Sequence, residues 1–258
     1  MSYKIVFFDI DGTLVNEEKR VPQDTVDAVA ELKANGIEPV IATGRAPYFF
    51  KPIAESLHIE SFVSLNGAYV VYRGEPLYQR TLAPQSLKKL VELAGRHRHP
   101  LVFQGHEQYY ANAEGHPAIH ESVNSLRVEL PGFDPEYWSK MPIYQAFLHC
   151  EPEDEPLYDN AFDDLRLIRW HPQAMDVTLK GGSKAVGIAA MLERLQLSLA
   201  DAVAFGDGLN DLEMLQQVGL GIAMGNSHPD LLPYADYVTA SVDEGGIRQG
   251  LRHAGLIS

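Results

Sequence analysis

The sequence predicts an α/β protein built around a parallel sheet, in which one domain is interrupted by another. Strand and helix signals alternate at both ends of the 258-residue chain, whereas the middle has a different pattern. Two predicted strands end in carboxylates beside glycine, at Asp9-Ile10-Asp11-Gly12 and at Gly206-Asp207-Gly208. Reactive groups of open α/β sheets lie at the carboxyl ends of strands, so these acids mark a candidate site.

The first segment, residues 1–81, begins with a short buried strand. Ile5–Phe8 is an apolar run of β-branched and aromatic residues, which is typical of a core strand in a parallel sheet. Residues 22–35 have apolar side chains at helical spacing, and Gly36 follows as a stop signal. The predicted elements after this helix are a strand at 37–42, a helix at 48–57, a strand at 62–65 and a hairpin of 69–72 with 77–80.

The middle segment, residues 82–182, is predicted to form an inserted domain. It contains a helix near 85–97, and strand-like runs at 101–103, 108–110, 144–149 and 165–169. Its acidic stretch at 151–156 is predicted to be a solvated loop.

The last segment, residues 183–258, resumes the alternation of strands and helices. Ser183 is a candidate cap for a helix, and Leu212 and Leu215 mark a second one. Strands are predicted at 202–205, 221–224 and 237–239, and the last two are each followed by a helical segment.

The composition limits the classes of partner. The chain carries 21 Lys and Arg against 35 Asp and Glu, a net charge of −14 at pH 7, which argues against binding to nucleic acid or to an anionic membrane. An anionic substrate would therefore need a metal ion and a few well-placed cations. Cys150 is the only cysteine, and no stretch approaches about 18 apolar residues, so we expect a cytoplasmic protein.

Four clusters at predicted strand ends or turns together indicate phosphoryl transfer. They are Asp9 with Asp11, Thr43-Gly44-Arg45, Gly182-Ser183-Lys184, and Gly206 to Asp211. The negative charge of a phosphoryl group repels a carboxylate that attacks it. A divalent cation, a lysine and hydroxyl donors can offset this repulsion. Asp9 and Asp207 can hold Mg²⁺, Lys184 and Thr43 can bind phosphoryl oxygens, and Asp11 is then free to act as acid and base.

This ordered set resembles the haloacid dehalogenase superfamily, and specifically its Cof-type phosphatases. The matching motifs are Asp9-x-Asp-Gly-Thr13, Thr43-Gly44-Arg45, Lys184, and Gly206-Asp-Gly-x-Asn-Asp211 followed by Met214. Ala223-Met-Gly-Asn226 and Ala235-Asp-Tyr-Val-Thr239 also look like the C-terminal segment of that family. Four motifs in order over most of the chain are far more specific than any one of them.

The resemblance implies a Rossmann-like core with a large α/β cap inserted after the third strand. It also implies dependence on Mg²⁺ and an aspartyl-phosphate intermediate. The backbone carbonyl of Asp11 becomes a third metal ligand, and Gly44 and Asn210 join the phosphate-binding residues.

Several roles stay open from the sequence. Lys180 competes with Lys184 for the phosphate, although Lys184 lies at a predicted helix start that suits an anion. Asp211 either supports the metal site from outside or caps the next helix. Arg45 either orients its loop or reaches the substrate. Asn66 either contacts the substrate or its phosphate, or forms a tight turn.

We therefore predict a Mg²⁺-dependent phosphatase of small phosphomonoesters, with sugar phosphates as the substrate class that the resemblance implies. A sugar phosphomutase would use the same aspartyl phosphate but return the phosphoryl group to the sugar. A sugar-phosphate sensor without catalysis is a third hypothesis, which the intact acids Asp9, Asp11 and Asp207 disfavour.

Overall fold

A computed structural model describes residues 3–258 of the protein. Its strands are β1 (Ile5–Phe8), β2 (Glu38–Ala42), β3 (Phe62–Ser64), β4 (Tyr69–Tyr72), β5 (Glu75–Gln79), β6 (Leu101–Gln104), β7 (Tyr109–Ala111), β8 (Gly132–Phe133), β9 (Gln145–Leu148), β10 (Leu165–His171), β11 (Ala174–Leu179), β12 (Ala202–Gly206), β13 (Leu220–Ala223) and β14 (Tyr237–Val238). They form one eight-stranded sheet and one six-stranded sheet.

The α-helices flank these sheets. They are α1 (Gln23–Ala34), α2 (Pro47–Ser56), α3 (Pro84–His97), α4 (Pro117–Ser125), α5 (Tyr137–Lys140), α6 (Lys184–Arg194), α7 (Leu212–Gln217) and α8 (Gly246–His253). Short 3-10 helices include Leu65–Gly67, Pro152–Leu157 and Leu209–Asp211.

The chain divides into two compact units. The first unit, called the core, comprises residues 1–45, 50–79 and 183–258, and the second unit, called the cap, comprises residues 46–49 and 80–182. The predicted α/β class, with a parallel-sheet core and an inserted second domain, is confirmed.

The core sheet has the strand order β14-β13-β12-β1-β2-β3-β4-β5. Pairing is parallel from β14 to β3, and β4 and β5 extend the sheet as an antiparallel hairpin. Because β1 pairs in parallel with both β12 and β2, the residues that follow these three strands emerge at one edge.

Alternate residues of β1 pack on opposite faces of the core sheet. Val6 and Phe8 join a hydrophobic cluster with α1 and α8, whereas Ile5 and Phe7 join a second cluster with α6 and α7. Helices therefore cover both faces, which explains why the strand reads as a continuous apolar run.

The cap sheet has the strand order β10-β11-β9-β6-β7-β8 and is antiparallel except for the β7–β8 pair. Leu101 and Phe103 of β6 pack in a cluster with Leu87 and Leu90 of α3. Val102 belongs to the other face, in a cluster with residues of α4. The cap thus has hydrophobic packing of its own on both faces of its sheet.

The acidic stretch at 151–156 differs from its prediction as a solvated loop. Pro152–Leu157 forms a 3-10 helix, in which Asp154 lies 3.2 Å from the Nε2 atom of His99 and Glu155 pairs with Arg169. Contacts with His99 and Arg169 within the cap accompany an ordered turn, although most of the stretch is exposed. Among residues 3–258, no helix is both long and apolar enough to cross a membrane.

Candidate active site

Three adjacent parallel strands deliver the central side chains of the candidate site. Asp9 follows β1, Thr43 follows β2, and Asp207 follows β12. The N–H of Asp9 donates to the carbonyl of Phe205 at 3.0 Å, and the N–H of Thr43 donates to the carbonyl of Val63 at 2.8 Å. These backbone bonds fix where each side chain leaves the sheet.

Lys184 lies between two carboxylates in the interior. Its Nζ atom donates to Oδ1 of Asp9 at 2.5 Å and to Oδ1 of Asp211 at 2.6 Å, and only 1% of the residue is exposed. Ser183 caps α6 by accepting from the N–H of Val186, so the first residue of the helix carries the lysine. The buried ammonium is tolerated here because it is hydrogen-bonded to two acidic side chains.

Asp211 supports the loop that carries Asp207. Its second oxygen, Oδ2, accepts from the N–H groups of Asp207 and Gly208, both at 3.0 Å. Gly206 makes room for this arrangement, because a Cβ atom there would lie 2.5 Å from the Cβ atom of Asp211. Both oxygens of Asp211 are thus engaged, one by Lys184 and one by the loop.

Asp207 is held against the turn after β1. Oδ1 of Asp207 accepts from the hydroxyl of Thr13 at 3.0 Å. Gly12 has a φ of +76°, and a Cβ atom on it would lie 2.1 Å from Oδ2 of Asp207. The turn therefore requires glycine at position 12 for two reasons: the left-handed backbone conformation and the close approach of the Asp207 carboxylate.

The donor atoms at this edge fit Mg²⁺. Asp9, Asp207 and Asp211 each offer a carboxylate oxygen, and these oxygens lie within 4.8 Å of one another. Hard cations such as Mg²⁺ prefer oxygen ligands and commonly use one or two carboxylates. Because both oxygens of Asp211 are already hydrogen-bonded, Asp9 and Asp207 are the residues suited to direct coordination.

Burial and crowding of charge perturb these acids. Burial, together with the charge of Asp211, raises the pKa of Asp9 to about 7, although Lys184 opposes the shift. Burial and the same neighbour raise the pKa of Asp207 to about 6. Burial alone would lower the pKa of Lys184, but the charges of Asp211 and Asp9 raise it above its usual value. Lys184 therefore stays charged, whereas Asp9 and Asp207 would lose protons on binding a cation.

The side chain of Asp11 has a different environment from that of Asp9. The guanidinium of Arg45 donates to both oxygens, from Nε to Oδ2 at 2.8 Å and through a second nitrogen to Oδ1 at 2.7 Å. The Nζ atom of Lys19 also donates to Oδ1, at 2.5 Å. Burial raises the pKa of Asp11, but these two cations outweigh it and hold the pKa below its ordinary value.

The loops after β2 and β3 meet at Gly44. A Cβ atom on Gly44 would lie 3.0 Å from Oδ1 of Asn66, which adopts the left-handed conformation with a φ of 53°. The hydroxyl of Thr43, which is buried, accepts from the N–H of Arg45 at 3.1 Å. Thr43, Gly44, Arg45 and Asn66 therefore form one structured group beside Asp11.

Two of the sequence candidates are exposed residues. Asn210 is exposed, and its side-chain oxygen lies where a Cβ atom on Gly208 would be only 2.6 Å away. Lys180, the alternative to Lys184, follows β11 in the cap and is exposed. Of the two lysines, Lys184 is the one in contact with Asp9.

Three contacting residues are absent from the predicted site. Thr13 binds Asp207, Lys19 binds Asp11, and Asn226 donates to the carbonyl of Gly12 at 2.8 Å. Thr13 and Asn226 lie within the family motifs, which is a signal that could have singled them out. Lys19 lies in an ordinary polar run, Glu17 to Arg20, and no sequence pattern marks it.

A parallel-sheet core that places a buried lysine between carboxylates at one sheet edge is suited to phosphoryl transfer. The sequence model of the haloacid dehalogenase-like hydrolases matches residues 6–251, nearly the whole chain. The chain therefore belongs to this family, and the resemblance to its Cof-type phosphatases is confirmed.

Individual relatives match this chain over all or nearly all of their lengths. YkrA of Bacillus subtilis (strain 168) is 42% identical over 257 residues, covering 100% of both chains. The structure of the phosphatase BT1666 from Bacteroides thetaiotaomicron covers 99% of this chain and 96% of its own, with a TM-score of 0.88 and 30% identity. The sugar phosphatase BT4131, of haloacid dehalogenase subclass IIB, covers 98% and 100%, with a TM-score of 0.83 and 30% identity.

Proposed function

We propose that the protein is a Mg²⁺-dependent phosphatase that hydrolyses small phosphomonoesters, sugar phosphates or related metabolites, through an aspartyl phosphate on Asp9. The observation that carries the proposal is the buried contact of Lys184 with Asp9, at 2.5 Å, beside Asp207. The similarity to a sugar phosphatase at 30% identity supports the substrate class.

Asp9 is the nucleophile in this proposal. A carboxylate oxygen of Asp9 attacks phosphorus, and the bond from phosphorus to the leaving-group oxygen breaks. Lys184 holds Asp9 in place and supplies positive charge for the phosphoryl oxygens. The hydroxyl of Thr43 and the backbone amides of Gly44 and Asn210 complete the set of donors.

Asp9, the backbone carbonyl of Asp11 and Asp207 would hold the metal ion. When bound, Mg²⁺ offsets the repulsion between the carboxylate nucleophile and the phosphoryl group and orients the two. Asp211 keeps the Asp207 loop in position through two backbone N–H groups. This support from outside the ligand set is typical of metal sites in enzymes.

Asp11 exchanges protons in both steps. In the first step its carboxyl group donates a proton to the leaving oxygen, and in the second it accepts a proton from the water that attacks the aspartyl phosphate. Arg45 and Lys19 favour the ionised form, which is the form that the second step needs. The negative charge of a bound phosphate raises the pKa of a neighbouring carboxyl group and so favours the protonated form for the first step.

A phosphate-release assay tests the proposal. Purified enzyme is given p-nitrophenyl phosphate and a panel of sugar phosphates, with Mg²⁺ or with EDTA. We expect release of inorganic phosphate with Mg²⁺ only, and no release by the Asp9→Asn variant. Activity that survives EDTA would contradict the metal role, isomeric sugar phosphates as products would indicate a phosphomutase, and tight binding without turnover would indicate a sensor.

A further inference from the structure

A turn of three left-handed residues follows β3 in the core. Leu65, Asn66 and Gly67 have φ angles of 52°, 53° and 85°. Only glycine adopts this conformation without a steric cost, and Leu65 is also buried, with 1% of its surface exposed. Residues persist in such a conformation where the surrounding structure imposes it, and this kind of strain clusters at functional sites. We call Leu65–Gly67 the β3 turn.

One side of the β3 turn is hydrogen-bonded to the loop after β2. The N–H of Leu65 donates to the carbonyl of Arg45 at 3.1 Å, and the N–H of Asn66 donates to the carbonyl of Thr43 at 3.3 Å. Oδ1 of Asn66 lies 3.0 Å from the place that a Cβ atom on Gly44 would occupy. The β3 turn therefore holds the backbone that carries the hydroxyl of Thr43.

The other side of the β3 turn contacts the first turn of α6. A Cβ atom on Gly67 would lie 2.1 Å from the carbonyl oxygen of Ser183, the residue that caps the helix. A Cβ atom on Gly187 would lie 2.7 Å from the Cα atom of Gly67 and 2.5 Å from Cγ1 of Val63. Two facing glycines thus allow the backbones to approach this closely. Lys184 is the first residue of the same helix turn.

The β3 turn therefore contacts both segments that the proposed function assigns to the phosphoryl oxygens, one with the hydroxyl of Thr43 and one with the Nζ atom of Lys184. These donors must be placed accurately, because a misplacement of about 1 Å can cost about 100-fold in rate. Contacts between backbones fix such a distance well, since the backbone has only two soft dihedral angles per residue.

We propose that the β3 turn is a positioning element, which sets the separation between Thr43 and Lys184 and so fixes the phosphate-binding site. Gly67 and Gly187 are its positioning residues, because a side chain at either position would push the start of α6 away from the turn. This inference rests on the proposed function and adds to it the residues that place two phosphate donors. In this role neither glycine contacts the substrate, and both act through Lys184.

The first test compares Gly187→Ala with Gly250→Ala. Gly250 lies in α8 on the opposite face of the core sheet, and a Cβ atom there would lie 2.3 Å from Cε1 of Phe205. Both changes add a methyl group between a helix and the sheet. With Mg²⁺, we expect Gly187→Ala to raise the Ki for inorganic phosphate at least about tenfold and to lower kcat/KM for p-nitrophenyl phosphate about 10- to 100-fold. Gly250→Ala should change neither by more than about twofold.

The second test changes the same contact from the side of the turn. Gly67→Ala forces alanine into the left-handed region and against Ser183. Gly74→Ala is its control, because Gly74 has a φ of +82° and nothing lies within 4 Å of its added Cβ atom. Both variants should be less stable, so the Ki is measured well below the lower Tm. There, only Gly67→Ala should raise the Ki for phosphate, by at least about tenfold.

A second-site change separates positioning from a general loss of stability. Val63→Ala removes the side-chain atom nearest to the Cβ atom that Gly187→Ala adds. Combined with Gly187→Ala, it should lower the raised Ki for phosphate at least about threefold. Val63→Ala on its own leaves a cavity and lowers the Tm. Phosphate affinity regained through a destabilising change cannot come from stability.

Three results would overturn the inference. They are a wild-type Ki in folded Gly187→Ala, equal losses in Gly187→Ala and Gly250→Ala, and no rescue by Val63→Ala. If Gly67→Ala does not fold, Gly187→Ala decides, because alanine favours a helix more than glycine does. Each of these results leaves hydrolysis by the wild type intact, whereas a wild type that hydrolyses no phosphomonoester overturns the proposed function itself.

Discussion

Asp11 is the residue whose surroundings differ most from those of a simple catalytic acid, since Arg45 and Lys19 both bind its carboxylate. Asp11→Asn keeps the size and the backbone carbonyl but cannot exchange a proton. An alkoxide leaving from a sugar phosphate needs that proton, which is worth roughly 10² to 10⁴ in rate, whereas p-nitrophenolate is a stable anion. We expect kcat/KM to fall by that factor for a sugar phosphate and much less for p-nitrophenyl phosphate.

The comparison uses kcat/KM because this ratio covers only the steps up to the first irreversible one, so slow hydrolysis of the aspartyl phosphate does not mask the effect. Lys4→Met, a change at an exposed lysine that pairs with Asp201, serves as the control for a lost surface ion pair. Equal losses for the two substrates would remove Asp11 from the acid role and leave it as a positioning residue.

Because the pKa values of Asp9 and Asp207 are raised, we expect protons to compete with Mg²⁺ for these two carboxylates. Their pKa values, about 7 and about 6, are raised above the usual carboxyl value, so both groups bind protons as the pH falls through this range. Mg²⁺ binds the ionised forms, and its affinity must therefore weaken as the pH falls. We expect the Kd for Mg²⁺, measured by thermal shift of metal-free protein, to rise at least about tenfold from pH 7.5 to pH 5.5.

Asp201→Asn is a suitable control for this titration, because Asp201 is a carboxylate of the core whose pKa is lowered by hydrogen bonds from Ser198. The variant should show the same pH dependence as the wild type. A Kd for Mg²⁺ that is equal at both pH values would mean that the metal does not bind Asp9 and Asp207.

The turn after β1 is the element on which the proposed metal site depends most directly. Gly12→Ala would place a Cβ atom 2.1 Å from Oδ2 of Asp207, at a φ of +76°. Gly36→Ala is a matched control, because Gly36 has a φ of +79° and nothing lies within 4 Å of its added Cβ atom. Gly36→Ala should lose about 1–2 kcal/mol of unfolding free energy, since it forces alanine into the left-handed region, and Gly12→Ala should lose more because its Cβ atom also overlaps Asp207.

Only Gly12→Ala should lose the metal site as well. We expect its phosphatase activity to fall more than about 100-fold and its Tm to stop responding to Mg²⁺, while Gly36→Ala keeps both responses. If Gly12→Ala binds Mg²⁺ as the wild type does, the carboxylate of Asp207 is not confined as the structure indicates.

The elements of the core were predictable because parallel strands buried on both faces are short apolar runs that end in glycine or acid. The elements of the cap were less predictable, because the apolar residues of Pro117–Ser125 and Ala174–Leu179 follow no clear helical or strand periodicity. Residues 46–49 pack with the cap rather than with the core, through stacking of Tyr48 on Tyr109. The contact of Tyr48 with Tyr109 joins distant parts of the chain and leaves no local pattern. That of Lys19 with Asp11 lies within one loop, but no motif or period marks it.

At the scale of the whole molecule, the proposed catalytic residues belong to one of two units, and each unit has its own hydrophobic interior. Asp9, Lys184 and Asp207 belong to the core, whereas β6 and β9 belong to the cap. A ligand that binds only folded protein stabilises the unit that holds it. Mg²⁺ should therefore slow amide hydrogen exchange in β1 and β12 and leave β6 and β9 unchanged.

A substitution that creates a cavity in the cap should destabilise the cap and leave the core unchanged. Leu148 is fully buried in β9, and Leu148→Ala should cost about 2–5 kcal/mol through lost apolar contacts and an unfilled cavity. Hydrogen exchange in β6 and β9 should then speed up, while exchange in β1 and hydrolysis of p-nitrophenyl phosphate stay close to the wild-type values. Faster exchange throughout both sheets would show instead that the two units unfold together, and stability lost in the cap would then be lost at the catalytic edge of the core as well.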